Sequence, residues 1–125
     1  NYDNSNEKNL PFGAYAIEPF ATSGVGRVVE GASSNIFSLI NPKSTRNPKS
    51  RDILKFITAN YKGLPFSLRV IQEKFGKIAR IYLKQMVQSG ILHEFPQLIE
   101  VSGKPVSQAE HTVILKKDGV DITTR

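Results

Sequence analysis

The sequence contains no cysteine. Disulfides and thiolate metal sites are therefore excluded. No apolar run approaches the ~18 residues a membrane span needs, and no secretory apolar region opens the chain. A phosphate loop is missing too. The glycines around Gly24 and Gly26 fit neither nucleotide fingerprint, and no Lys-Ser or Lys-Thr follows them. Methionine does not stand at the start: the chain begins at Asn1, and Tyr2 is the one apolar residue before Leu10. The expectation is a processed product, a trimmed chain or the downstream part of something longer.

What is there suits one ordinary soluble domain: 125 residues, 39% hydrophobic and 22% charged. The net charge of +6 is unevenly placed. Residues 43–88 hold eleven Lys or Arg against Asp52 and Glu73, and the remainder is mildly acidic. A basic segment of this kind favours polyanions such as nucleic acid, or forms a solvated helix face.

Two acids stand out. Glu18 lies in Tyr15-Ala16-Ile17-Glu18-Pro19-Phe20-Ala21-Thr22, and Glu110 in Gln108-Ala109-Glu110-His111-Thr112-Val113-Ile114-Leu115. Both runs are β-formers with one carboxylate inside them. A charge in so apolar a run is costly unless compensated. Two such acids suggest a shared cation, or else two solvent-facing strand positions. The predicted geometry is neighbouring or facing strands with the carboxylates ~4–6 Å apart.

Along the chain, residues 1–12 read as a polar loop. Tyr15–Thr22 and Arg27–Glu30 read as a hairpin about Thr22–Gly26. Ser34–Ile40 fits a strand or a helical turn, and Asn41–Lys49 a loop. Three helices follow. Ser50 and Ser67 are the expected N-caps of the first two; Gly76 and Gly90 are expected stops. The expected buried set of the third helix, Lys77–Ser89, is Ile78, Ile81, Tyr82, Leu83 and Met86. Ile91–Phe95 and Gln97–Val101 alternate as two strands, and a last strand is expected at Val120–Thr124. Three helices and a hairpin give the order of a winged helix. Such a module binds DNA through its third helix, where Lys77, Arg80, Lys84 and Gln85 would make contacts, or serves as a packing unit.

The Ala-Ile-Glu-Pro-Phe-Ala-Thr run ending at Thr22, the helical stretch containing Gly63-Leu64-Pro65-Phe66 and Gly90-Ile91, and the closing Glu110-His111-Thr112 resemble, in that order, the type 2 methionine aminopeptidases, archaeal ones above all. The resemblance covers about residues 10–125. It implies an α+β fold: the C-terminal part of a pita-bread antiparallel sheet with a winged-helix-like helical insertion. Residues 1–41 and 106–125 would belong to the catalytic domain, and 42–105 to the insertion. It implies a cytoplasmic metalloprotease of hydrolase class, removing the N-terminal Met from nascent polypeptides. Two divalent ions (Co, Mn, Fe or Zn) would be held by two Asp, one His and two Glu. Glu18 and Glu110 match the two Glu positions, and Glu110 matches the one that bridges both metals. Glu18 would also serve as catalytic base or proton shuttle. Pro65, Phe66 and Phe95 match the walls of the methionine pocket, although both Phe also read as core residues.

The departures are as informative. The Asp and His ligands of the family have no counterpart here. Asp3 lies in a polar loop with no matching motif, and neither His93 nor His111 matches the His ligand. His111 follows Glu110 on a strand and so points to the other face, which suits a structural hydrogen bond. Glu30 is the nearest counterpart of a pocket His in eukaryotic members and takes no role. With two ligands of the set, the chain alone is expected to be inactive and to need the upstream half of the enzyme. The alternative is a non-catalytic module binding nucleic acid or the ribosome through 43–88.

Overall fold

The structure is a computed structural model that describes residues 8–124. Asp3 and Tyr2 lie outside the described residues. The chain divides into two compact units, one running to Val29 and resuming at Ile99, the other Glu30–Leu98.

The middle unit carries three helices, α1 (Pro48–Asn60), α2 (Leu68–Phe75) and α3 (Ala79–Gln88). Asn47, not Ser50, caps α1: its Oδ1 accepts from the Lys49 N–H at 2.9 Å and the Ser50 N–H at 3.3 Å. Pro48 in the first turn has no N–H to satisfy, so the helix starts earlier than expected and Ser50 is buried inside it. Ser67 precedes α2 as expected but makes no side-chain cap bond. Gly76 ends α2 at φ +80°, a conformation that side chains disfavour.

On α3 the buried face is Ala79, Leu83 and Met86. Ile78 and Ile81, expected inside, are exposed. At ~100° per residue Ile81 lies about 200° around the helix from Ala79, so the stripe that places Leu83 and Met86 inside turns Ile81 outward. The three helices close over one core with Ile53, Ile57, Ile71, Phe37, Phe66 and Leu92.

Three strands complete this core: β3 (Val28–Leu39), β4 (Phe66–Ser67) and β5 (Leu92–Glu100), in the order β4-β3-β5. Residues 34–40 thus resolve mostly into strand. The two strands expected at 91–101 are one. Pro96 sits inside it because β5 is an outer strand, where a missing N–H costs no ladder bond.

The other unit is antiparallel sheet. β1 (Gly13–Ile17), β7 (His111–Lys116) and β8 (Gly119–Ile122) form one sheet in the order β1-β7-β8; β2 (Phe20–Thr22) pairs with β6 (Val106–Gln108). The hairpin expected between Tyr15–Thr22 and Arg27–Glu30 is therefore not made: β2 takes its partner from the far end of the chain. Val25 and Gly26 give their amides to the Glu100 carboxylate instead. Many apolar side chains of this unit are exposed, including Ile17, Phe20, Val106, Val120 and Ile122.

This packing makes a contrast measurable by urea unfolding. Leu83→Ala should destabilise the helical unit by about 2–5 kcal/mol, the cost of an emptied core site. Ile81→Ala should stay within about 0.5 kcal/mol, as at an ordinary surface position. Equal losses would mean that the buried face of α3 is misassigned.

Candidate functional site

The site is built by register. Along β1 and β7, Gly13 faces Leu115 and Ile17 faces His111. Along β2 and β6, Phe20 faces Gln108 and Thr22 faces Val106. The two ladders keep one offset, so Glu18 and Pro19, between β1 and β2, stand opposite Glu110 and Ala109. The Ala109 N–H donates to the Pro19 carbonyl at 3.1 Å. Proline cannot return that bond, which is why the strand pairing is interrupted here. Position 19/109 is thus the hydrogen-bonded one, and by alternation 18/110 is a non-hydrogen-bonded pair. Such pairs have Cα atoms about 4.5 Å apart and side chains on one face. Carried through the gap between the ladders, the same alternation would turn Glu18 and Glu110 to one side.

Both carboxylates are exposed, and the Gln108 Nε2 donates to Glu18 Oε2 at 3.1 Å. Like charges directly opposed across a sheet repel. A divalent cation between them would turn that repulsion into attraction. Two oxygen-donor groups on one face suit such an ion chemically. Among the described residues no three His, Asp or Glu come together in a way that could hold a metal.

The other sequence candidates fall elsewhere. His111 alternates to the opposite face, where its Nδ1 lies 2.6 Å from the Thr124 carbonyl. A carbonyl only accepts, so Nδ1 carries the hydrogen, and this histidine has the structural role expected. His93 stands edge-on to Phe95 at 4.6 Å between centroids. Pro65 is exposed just ahead of β4. Phe66 is buried, tilted against Tyr61 at 5.2 Å and stacked on Phe37 at 6.0 Å, within the helical unit's core. Phe95 keeps 36% of its surface exposed on β5. Glu30 is an exposed residue of β3.

Glu100 escaped sequence reasoning. The sequence places it only within the strand expected at Gln97–Val101, yet it is 3% exposed. Its Oε1 accepts from the N–H groups of Val25 at 2.7 Å and Gly26 at 3.2 Å. Its Oε2 accepts from the Ser102 N–H at 2.7 Å, the Ser102 hydroxyl at 2.5 Å and the Lys104 N–H at 3.4 Å. The Ser102 hydroxyl above all, with the Ser102, Lys104 and Val25 amides, holds the carboxyl below its ordinary value, against the opposing effect of burial. Gly24 makes room: a Cβ there would come within 2.5 Å of the Glu100 Cδ. The sequence signal, legible only afterwards, is the pairing of Gly24-Val25-Gly26 with Ser102-Gly103-Lys104, two amide-rich turns around one acid.

Two outcomes follow. Without metal, Glu110→Gln should raise stability by about 0.2–1 kcal/mol by removing the facing charge. The same change should abolish any rise in melting temperature on adding Mn. An unchanged Mn effect would place the ion elsewhere. For Glu100, the lowered folded-state value means that stability is full above the ordinary carboxylate range. It is lost as pH falls through the folded value, because the unfolded chain takes up its proton first. Glu100→Gln should therefore melt below wild type at neutral pH, with the gap narrowing from pH ~5 toward ~3. A pH-independent gap would contradict the assignment.

No family model matches the chain. It is 46% identical over 110 residues to a methionine aminopeptidase of Archaeoglobus fulgidus, covering 88% of this chain and 36% of that protein. The methionine aminopeptidase of Thermococcus kodakarensis is 41% identical over 112 residues, again 88% of this chain and 38% of its own length. That of Saccharolobus solfataricus is 42% identical over 114 residues, 89% and 38%. The solved structure of a thermophilic Arx1 superposes with a TM-score of 0.75 at 20% identity, covering 96% of this chain and 33% of that one. This likeness shows the fold, an α+β arrangement with antiparallel sheets of the pita-bread kind. By sequence, the chain is similar to archaeal methionine aminopeptidases and spans little more than a third of the length of those it matches.

Proposed function

We propose that this chain is the C-terminal part of a type 2 methionine aminopeptidase and supplies two of its metal ligands, Glu18 and Glu110. The observation that supports this reading is the common offset of the β1–β7 and β2–β6 pairings, which continued through the gap would bring Glu18 opposite Glu110. The sequence likeness to archaeal methionine aminopeptidases supports the choice of family. The remaining ligands, two Asp and a His, would come from an upstream half. Co, Mn, Fe and Zn all suit carboxylate and imidazole donors.

When bound, such a pair of cations lowers the pKa of a shared water and polarises a substrate carbonyl. The chain's own residues would do the rest. Glu110 would serve as a metal ligand through its carboxylate. Glu18 would hold one ion and move a proton between the attacking water and the leaving amine. Gln108, already bonded to Glu18, restrains that carboxylate's rotamer. Phe95, with its remaining exposed surface, is the better candidate for a wall of the methionine pocket; Phe66 would act from within the core, and Pro65 would shape the approach. The substrate would be a nascent polypeptide with N-terminal Met, in the cytoplasm. The inserted subdomain, 42–105 by family likeness, would correspond to the winged-helix-like part.

The exposed apolar residues of the strand unit, Ile17, Val120 and Ile122 among them, support a covering upstream half. A second reading draws on the basic stretch 43–88, where Arg69–Glu73 is the one ion pair among the described residues. A non-catalytic protein could use that surface on nucleic acid or the ribosome, with binding that weakens steeply as salt rises.

Release of Met from a Met-Ala-Ser peptide with added Co or Mn separates the two. The chain alone should be inactive, and mixing with the upstream half should restore turnover that Glu110→Ala abolishes. Turnover by the chain alone, lost in Glu110→Ala, would mean that a further residue here completes the site. A folded, inactive mixture would favour the binding module.

A further inference from the structure

We infer that Glu100 sets the strand register on which the Glu18–Glu110 pair depends, as a positioning residue that never touches that pair. The inference rests on reading the pair as a cation site.

The pair occupies the gap between two ladders, and both must keep the same offset for the carboxylates to face each other. β1–β7 is braced by β8. β2–β6 is not: it has three residue pairs, and only Thr22 among those residues is even partly buried. Register is weakly specified where neither face of a strand is buried, and a slip of one residue turns every side chain to the other face. An isolated two-stranded pairing is marginal in any case. Between the ladders Pro19 accepts from the Ala109 N–H but cannot return the bond, so the braced end is coupled to the other by one bond in place of two.

The Glu100 carboxylate closes the open end. It accepts from Val25 and Gly26, where the chain leaves β2, and from Ser102 and Lys104, where the chain approaches β6. One side chain thus fixes both strands of the ladder at once. Thr22 adds a second tie: its hydroxyl donates to the Pro105 carbonyl at 2.8 Å and accepts from the Gly24 N–H at 3.0 Å. Gly24 has the only side-chain volume compatible with this approach. A clamp that spans both strands is what a ladder of three pairs needs to hold one offset.

The test uses the whole chain with Glu100→Ala and Glu100→Gln, each with and without the pair Ala21→Cys and Ser107→Cys. Positions 21 and 107 face each other and, by the alternation from 19/109, exchange hydrogen bonds. Their Cα atoms should then be about 5.5 Å apart, within disulfide range. The chain has no native cysteine to compete. In a glutathione buffer the pair should close at least severalfold more slowly in the Glu100 variants. Mn affinity, read by electron paramagnetic resonance, should fall at least about tenfold, as when a residue supporting metal ligands is lost. It should recover once the disulfide is closed and fall again on reduction.

Equal closure rates would overturn the inference. So would a closed disulfide that leaves Mn affinity low, since Glu100 would then stabilise the unit without setting register. If wild type shows no Mn binding that depends on Glu18 and Glu110, the cation reading fails, and the closure rates alone decide the role of Glu100. If Glu100→Ala does not fold, Glu100→Gln, which keeps the volume, carries the comparison.

Discussion

One antiparallel offset, shared by β1–β7 and β2–β6, underlies the proposed function of this chain. It converts two glutamates separated by most of the sequence into a cross-strand pair. The same offset makes their proximity a cost in the bare chain, since like charges on a non-hydrogen-bonded pair repel. If the pair holds a cation as proposed, bound charge would offset that cost. Pro19 sharpens the arrangement: it interrupts the ladder beside the pair and leaves the backbone there without its full set of bonds.

The two units answer different physical needs. Residues 30–98 bury a continuous apolar core of helices and strands, with aromatic contacts from Phe37 through Phe66 to Tyr61. Such a unit carries its own stability. Among its described residues the strand unit has Val113 as its one buried hydrophobic residue, while Phe20 is 61% exposed. Its order comes from backbone pairing and from polar ties, with Glu100 at one end and the Lys116–Asp121 ion pair near the β7–β8 turn. A sheet organised in this way is suited to receiving more structure on its faces.

Much of the helical unit was legible because periodicity and terminators are local. Gly76 and Gly90 stop their helices where the sequence places them. The errors there are also local: Asn47 outcompetes Ser50 as a cap, and a stripe begun at Ile78 instead of Ala79 puts Ile81 on the wrong side. Glu18 and Glu110 were visible as isolated charges among β-formers. Their strand partners were not, because turn residues at Thr22–Gly26 suggest a nearby hairpin while the actual partner of β2 is β6. Glu100 was hidden for the same reason. Alternation shows where a carboxylate may face solvent, but not that amides from two distant turns converge on it.

The central claim is that Glu18 and Glu110 form one cation-binding pair. Titrating the 15N-labelled chain with Mn while recording amide line broadening tests it most directly, because paramagnetic broadening reports even weak binding near the ion. The account predicts that broadening appears first and most strongly at residues 16–20 and 108–112, and that Glu110→Gln removes it. Broadening centred on Asp52, Asp118 or Asp121, with the two strands untouched, would contradict the claim.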